Sequence, residues 1–274
     1  MSGRMKLLNR TAVVTGAASG IGRAIAISLA RRGCHLALAD LNEAELARTA
    51  DMAASEKVRI SCHRLDVSDR EQVTSFPARV MAEHTGVDIL LNNAGVALGG
   101  TFDQVSETDF EWLFAINFWG VVRITRAFLP YLRTSDDARI VNLSSLYGLI
   151  SPPGQTAYSA SKFAVRGFTQ SLGRELERSH IGVTVVHPGG VATAIVRNAR
   201  IPKSVPAEEI QKRLAAAEKL LRLLPERAGE IIVHGIERRK PRILVGTDAK
   251  IISIIERLLP VSYWKVLKWL NRRT

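Results

Sequence analysis

Cysteine is scarce in this sequence. Cys34 and Cys62 are the only two among 274 residues, which excludes a disulfide framework and leaves room for one bridge at most. Both lie in apolar, strand-like text, where buried free thiols are expected. The adjacent Cys62-His63 pair has no further ligand types at zinc spacing, so no metal is expected. Long apolar runs are also missing: no stretch reads as the roughly 18 apolar residues of a membrane span. Met1–Arg10 is basic without an apolar centre, unlike a secretory leader. A cytoplasmic, reducing setting is the resulting expectation. Acidic residues are in deficit, with 26 Asp and Glu against 38 Lys and Arg and a net charge of +12. Such an excess suits nucleic acid, anionic membrane surfaces or acidic partners. An aromatic RNA-binding motif, zinc-finger spacing and a long basic arm are all absent, so nucleic acid is not an expected partner.

What is present is an ordinary globular composition, 46% hydrophobic and 23% charged, in a chain long enough for one large domain. Strands are expected at Thr11–Thr15, His35–Asp40, Val58–Val67, Asp88–Asn92, Arg139–Leu143, Gly182–His187 and Arg242–Val245. Helices are expected between them at Ile21–Arg32, Asn42–Glu56, Asp69–His84, Glu107–Leu132, Ala157–Arg178 and Glu226–Arg239, with Asn42 as an N-cap. Alternation at these lengths means βαβ units and an α/β fold with a doubly wound, mostly parallel sheet. No linker or change of composition divides the body.

The first strand runs into Thr15-Gly16-Ala17-Ala18-Ser19-Gly20-Ile21-Gly22, with glycines at G-x-x-x-G-x-G spacing. Glycines let a backbone approach a pyrophosphate closely. A helix starting near Gly20 would aim N–H groups and the positive end of its dipole at that anion. The alternative is a turn that merely permits tight packing; its place between the first strand and the first helix favours the cofactor reading. Asp40 closes the second strand. A carboxylate there can accept hydrogen bonds from an adenosine ribose and would repel a 2′-phosphate. NAD is therefore expected rather than NADP, with Arg23 the one nearby cation against that reading.

The segment Ala157-Tyr158-Ser159-Ala160-Ser161-Lys162 carries the chemistry. Tyr158 and Lys162 are four apart, on one face of a helix. A free phenol ionises near pH ~10, and a neighbouring ammonium would favour the phenolate. The pair suits proton exchange with an alcohol or a carbonyl oxygen. By itself this spacing is common on solvated helices, so the remaining motifs decide.

In order, Thr15–Gly22, Asn92-Asn93-Ala94-Gly95, Asn117, Ser145, Tyr158, Lys162 and Pro188-Gly189 resemble the short-chain dehydrogenase/reductase family, over roughly Lys6 to Gly246. The resemblance implies a Rossmann-type sheet and roles for particular residues. Gly16, Ser19, Gly20, Ile21 and Gly22 would form the cofactor turn. Asp40 would select the ribose, and Asp66 with Val67 would contact the adenine. Asn93, Ala94 and Gly95 would brace the sheet centre and line the cofactor. Pro188, Gly189, Val191 and Thr193 would hold the nicotinamide carboxamide. Asn117, Ser145, Tyr158 and Lys162 would be the catalytic set. Tyr158 would exchange the proton, while Lys162 would lower its pKa and grip the nicotinamide ribose. Ser145, rather than Ser144, would offer its hydroxyl to the substrate oxygen. Asn117 would hold a water linking Lys162 to solvent. A homo-oligomer, dimer or tetramer, is expected.

Residues 1–247 read as a dinucleotide-binding catalytic domain with a substrate lid at about 191–224, and residues 248–274 as an amphipathic, helical C-terminal extension. In the lid, Ile210, Leu214, Ala217, Leu221 and Leu224 form one apolar face of a helix opened by Pro206. After Pro260, Tyr263, Val266, Leu267 and Leu270 share one side, Lys265, Lys268 and Arg272 the other, and Trp264 and Trp269 lie at the boundary. That pattern fits an interfacial helix in peripheral membrane contact, or one docked on the body or on another subunit. By resemblance, such tails accompany lipid, steroid or retinoid substrates. The expectation is an NAD(H)-dependent oxidoreductase acting on a hydrophobic secondary alcohol or ketone. The alternatives are a reductase of 3-oxoacyl groups on an acidic carrier protein, drawn by the positive charge, and a non-catalytic nucleotide-binding scaffold.

Overall fold

The computed structural model describes residues 3–54, 57–202 and 205–271. Arg272 and the side chain of Leu270, assigned above to the terminal helix, lie outside the described residues, as do residues 203–204 of the lid. Seven strands form one sheet: β1 (Thr11–Thr15), β2 (His35–Asp40), β3 (Ile60–Arg64), β4 (Ile89–Asn92), β5 (Ala138–Leu143), β6 (Ile181–Pro188) and β7 (Arg242–Val245). Their order is β3-β2-β1-β4-β5-β6-β7, and every pairing is parallel. The chain begins mid-sheet, winds out to β3, returns to place β4 beside β1, and winds out again to β7. Loops at the carboxyl ends of β1 and β4 therefore run to opposite sides and open a crevice between them.

Helices α1 (Gly20–Ala30), α2 (Glu43–Ala53), α3 (Arg70–Glu83), α4 (Glu107–Phe114), α5 (Val121–Leu132), α6 (Thr156–Glu175), α7 (Ala207–Glu218) and α8 (Pro225–Glu237) follow, with α9 (Thr247–Leu258) and α10 (Tyr263–Asn271) after β7. Side chains alternate across a strand, and here both faces are covered. Ala12 and Val14 of β1 pack with Ile25 and Leu29 of α1 and Ile232 of α8. Val13, between them, packs with Phe76 of α3 and Phe128 of α5. That is why β1 reads as an unbroken apolar run rather than an alternating one. Asn42, Asp69 and Ser106 cap α2, α3 and α4 by accepting backbone N–H groups of the first turn.

A polar ladder crosses this apolar interior. The Asn92 amide of β4 donates to Thr125 Oγ1 of α5 at 2.9 Å and to Asn142 Oδ1 of β5 at 2.8 Å. The Asn142 amide donates in turn to Thr169 Oγ1 of α6 at 3.0 Å. Breaking one buried rung leaves a partner unsatisfied, at a cost of roughly 1–3 kcal/mol. The ladder thus fixes α5 and α6 against the sheet.

Three findings depart from the sequence reading. Cys34 is buried, but Cys62 is exposed; it sits on β3, the edge strand, where His63 alone is buried and Ile60 and Ser61 are half-buried. The helix Glu107–Leu132 has an 18-residue window of mean hydropathy 1.2, long and apolar enough by composition to cross a membrane. Arg123 and Arg126 interrupt the run in the sequence, and Ile124, Phe128 and Leu132 lie instead in the core beneath the sheet. Finally, α9 is an additional helix, tied to the body by buried Ala249 and Ser253 and by Arg242, which donates to Ser253 Oγ at 3.0 Å.

Candidate active site

The β1–α1 turn is shaped by what its glycines exclude. Gly16 and Gly20 hold φ at +66° and +53°, a region open to glycine at no steric cost. A Cβ on Gly22 would stand 2.0 Å from the Gly16 carbonyl oxygen and 2.5 Å from Asn93 Nδ2. Ser19 occupies the N-cap of α1 without a side-chain capping bond, and the first turn holds no acid. Free N–H groups, an uncommitted hydroxyl and no negative charge together suit a phosphate. Asp40 points back at the same turn: its Oδ2 accepts from Ala18 N at 3.0 Å and its Oδ1 from Asn42 N at 3.1 Å. Arg23 is committed elsewhere, to Glu45 Oε2 at 2.7 Å, Thr49 Oγ1 at 2.9 Å and the Ala18 carbonyl.

Across the crevice, Asn93 joins the ends of β1 and β4. Its amide donates to the carbonyls of Thr15 and Gly16 at 3.0 and 2.9 Å, while Thr15 Oγ1 accepts from the N–H groups of Asn93 and Ala94. Asp66 Oδ1 accepts from Ser68, and buried Val67 abuts Gly120. The turn after β6 closes the other wall: Thr193 Cγ2 lies 3.0 Å from the position a Cβ would take on Gly20. Gly16, Ser19–Gly22, Asp40, Asn93 and Thr193 thus share one edge of the sheet.

The next group stands beside it. Ser145 follows β5, and its Oγ accepts from Tyr147 N at 3.1 Å, leaving its O–H to donate. It lies close enough to Tyr158 of α6 for its hydroxyl to act on the phenol's pKa. Ser144 is spent on the fold, donating to the Lys162 carbonyl at 2.8 Å. The Tyr147 and Tyr158 rings meet edge to face, with centroids 6.1 Å apart. Lys162, buried one turn on, donates from Nζ to the Leu143 carbonyl at 3.2 Å and lies 5.7 Å from the Tyr158 ring centroid. Lys162 Nζ and Asn117 Oδ1 both face Gly95, at 3.4 and 3.2 Å from its Cβ position. Asn117 sits in the π-helical turn Ala115–Gly120, a distortion frequent at functional sites. Its amide clamps Val96, accepting from the N–H and donating to the carbonyl, and also donates to Ser161 Oγ.

Electrostatics here run against the sequence expectation. Burial pushes the Tyr158 pKa up to about 12; the Ser145 hydrogen bond opposes that rise and Tyr147 adds to it. Burial pushes Lys162 down to about 8. In the protein alone, desolvation is the largest influence on both groups.

A profile of the "short chain dehydrogenase" family matches residues 10–204. The chain belongs to this family. It is 41% identical over 264 residues to SadH of Mycobacterium tuberculosis, a provisionally named oxidoreductase, covering 94% of each chain. It is 38% identical over 229 residues to the oxidoreductase UcpA of Salmonella typhimurium, covering 82% of this chain and 87% of that one. A crystal structure of a short-chain dehydrogenase/reductase from Burkholderia phymatum in complex with NAD aligns with a TM-score of 0.86 at 30% identity, over 93% and 95% of the two chains. This short-chain dehydrogenase is accordingly an oxidoreductase.

Two residues of the site, Tyr147 and His187, escaped the sequence reading, and a third, Thr15, was read only as the start of the glycine motif. The Tyr147 backbone N–H donates to Ser145 Oγ, and its ring meets that of Tyr158 edge to face. Thr15 supplies the hydroxyl on which Asn93 and Ala94 hang; its only signal is a small hydroxyl residue at the mouth of the glycine turn. His187 Nδ1 lies 2.9 Å from the Ser145 carbonyl, which can only accept, so Nδ1 carries the proton. Burial pushes the His187 pKa down to about 4, so this support stays neutral.

Proposed function

We propose that this short-chain dehydrogenase interconverts a hydrophobic secondary alcohol and its ketone with NAD(H). The observation that carries the reading is the convergence of Ser145, Tyr158 and Lys162 at the crevice that holds the glycine turn. When bound, the dinucleotide supplies the acceptor or donor of a hydride. In oxidation, Tyr158 as phenolate would take the proton from the hydroxyl oxygen as the carbon bearing that oxygen gives up its hydride to the acceptor. In reduction, the Tyr158 phenol gives its proton to the carbonyl oxygen. Ser145 donates to that oxygen, where charge changes in the transition state. Lys162, one helical turn from Tyr158 and with Nζ at the Leu143 carbonyl and Gly95, supplies the neighbouring positive charge that favours the phenolate when the proton is exchanged. Tyr158 is backed by the apolar cluster of Leu98, Leu113 and Ala157, and an apolar substrate is the reading proposed for the space in front of it.

Asp40, and the engagement of Arg23 with Glu45, favour NAD. Titration by NADH fluorescence is expected to give at least about tenfold tighter binding than NADPH, or ~1.4 kcal/mol. Asp40→Ser is expected to narrow that gap by removing the repulsion of a 2′-phosphate. Tighter NADPH binding by the wild type would overturn the assignment.

We assign the C-terminal surface to an anionic bilayer. Helix α10 itself is docked: the Tyr263 hydroxyl accepts from Ser151 N at 3.2 Å, and Trp264 lines a groove of about 560 Å³ with Pro152, Pro153 and Phe163, on the face of α6 turned away from Tyr158. Exposed apolar residues run along α9 and the turn after it, at Ile251, Ile254, Leu258, Leu259 and Val261, with Trp269 exposed on α10; Lys250, Arg257, Lys265 and Lys268 of the same segment are also exposed. Apolar residues edged with cations suit an acidic lipid surface. Sedimentation with phosphatidylserine-containing liposomes is expected for the wild type and lost in the double variant Ile254→Glu, Leu258→Glu. Equal recovery of both proteins in the supernatant would contradict it.

A further inference from the structure

Asp248 lies in the first turn of α9, where an acid ordinarily serves its own helix. Here it serves another element. Its Oδ2 accepts from Gly190 N at 2.7 Å. Both carboxylate oxygens stand 2.2 Å from the position a Cβ would take on Gly189, and Oδ1 stands 2.3 Å from that of Gly246. The carboxylate occupies space that exists because both positions are glycine. The Gly190 peptide is held from the opposite side as well: its carbonyl accepts from Arg222 N and Leu223 N, each at 3.0 Å, at the end of the lid. Gly189 N donates to the Val245 carbonyl at 2.9 Å, and Thr193 N to the Val191 carbonyl at 2.8 Å. The turn from Pro188 to Thr193, which reaches Gly20 of the β1–α1 turn, is thus gripped between α9 and the lid.

We propose that Asp248 is a positioning residue for cofactor binding: its carboxylate fixes the 188–193 turn in the shape that receives the nicotinamide end of the dinucleotide. This rests on the NAD(H) reading above. It also makes the start of α9 part of the cofactor site. A carboxylate bound to a backbone N–H is among the stronger hydrogen bonds, and its loss frees the turn without removing any group that touches the cofactor.

The test compares wild type, Asp248→Ala and Asp248→Asn as full-length proteins, by equilibrium titration with NADH and by thermal melting. Asn keeps an acceptor for Gly190 N–H in a side chain of the same size. The Ala variant is expected to bind NADH about tenfold more weakly, with the KM for cofactor rising in parallel and kcat at saturating cofactor within about threefold of wild type. The Asn variant is expected to recover most of the affinity. Unchanged NADH affinity in the Ala variant, whatever its melting temperature, overturns the proposal. So does an Asn variant as weak as the Ala variant despite melting like wild type. Absence of NADH binding by the wild type would instead overturn the NAD(H) reading, and this inference with it.

Discussion

Tyr158→Phe is expected to lower turnover by about 10²–10⁴-fold, the usual weight of a positioned proton-transfer group, while NADH binds within about twofold of wild type. The substitution removes one oxygen and keeps the ring, so the contacts with Tyr147 and the apolar cluster around Leu98 and Leu113 survive. What disappears is the phenol hydroxyl whose rise in pKa Ser145 opposes. The direction of pH dependence follows from the same oxygen. With its pKa pushed up to about 12, Tyr158 is a phenol at neutral pH. Oxidation needs the phenolate, so kcat/KM for the alcohol is expected to rise with pH, about tenfold per unit below the apparent pKa. Reduction needs the phenol, so kcat/KM for the ketone is expected to stay level between pH ~6 and ~8. Steady-state rates across pH, in both directions and for both proteins, check this. Wild-type rates in the Phe variant would remove Tyr158 from the chemistry.

Gly22→Ala is expected to abolish measurable NADH binding and to lower the melting temperature. The added methyl would lie 2.0 Å from the Gly16 carbonyl oxygen and 2.5 Å from the Asn93 amide. Neither is the free end of a flexible chain: one is backbone, and the other is held by two hydrogen bonds to the β1 end. The turn must therefore move, carrying Ser19 and Gly20 with it. Overpacking of this kind costs roughly 1–3 kcal/mol of stability, and the cradle is lost in addition. Gly167→Ala is the matched control. It lies within α6 with nothing inside 4 Å of its Cβ position, so alanine there is expected to stabilise by about 0.5–1 kcal/mol. Calorimetry and NADH titration of the two variants separate the effects; Gly22→Ala binding NADH like wild type would contradict the packing account.

Local features of this chain were legible in its sequence, and non-local ones were not. The glycine turn, the N-cap Asn42 and the Tyr158/Lys162 pair each depend on residues within a few positions of one another. Spacing along α6 gave their proximity. It said nothing of burial, which pushes the Tyr158 pKa up in the protein alone, whereas the lowering expected from Lys162 includes the positive nicotinamide ring. Cys62 lies in text as strand-like as that of Cys34, and only the sheet order puts one at an edge and the other inside. The Asn92–Asn142 ladder depends on β4 pairing with β5, which no local pattern announces. In α9, the spacing of Ile251, Ile254 and Leu258 is helical, but those residues face outward; besides Ala249 and Ser253, the helix is tied to the body by Asp248, which meets Gly190, far earlier in the chain.

The central claim is that Tyr158 exchanges its proton beside a dinucleotide lying across the β1/β4 crevice. A crystal structure of the protein grown with NAD tests it most directly. The account predicts the diphosphate against Ser19–Gly22, the adenosine ribose on Asp40, and the nicotinamide ring between the Pro188–Gly189 turn and the Tyr158 hydroxyl. A dinucleotide bound elsewhere, or with its nicotinamide turned away from Tyr158, would contradict it.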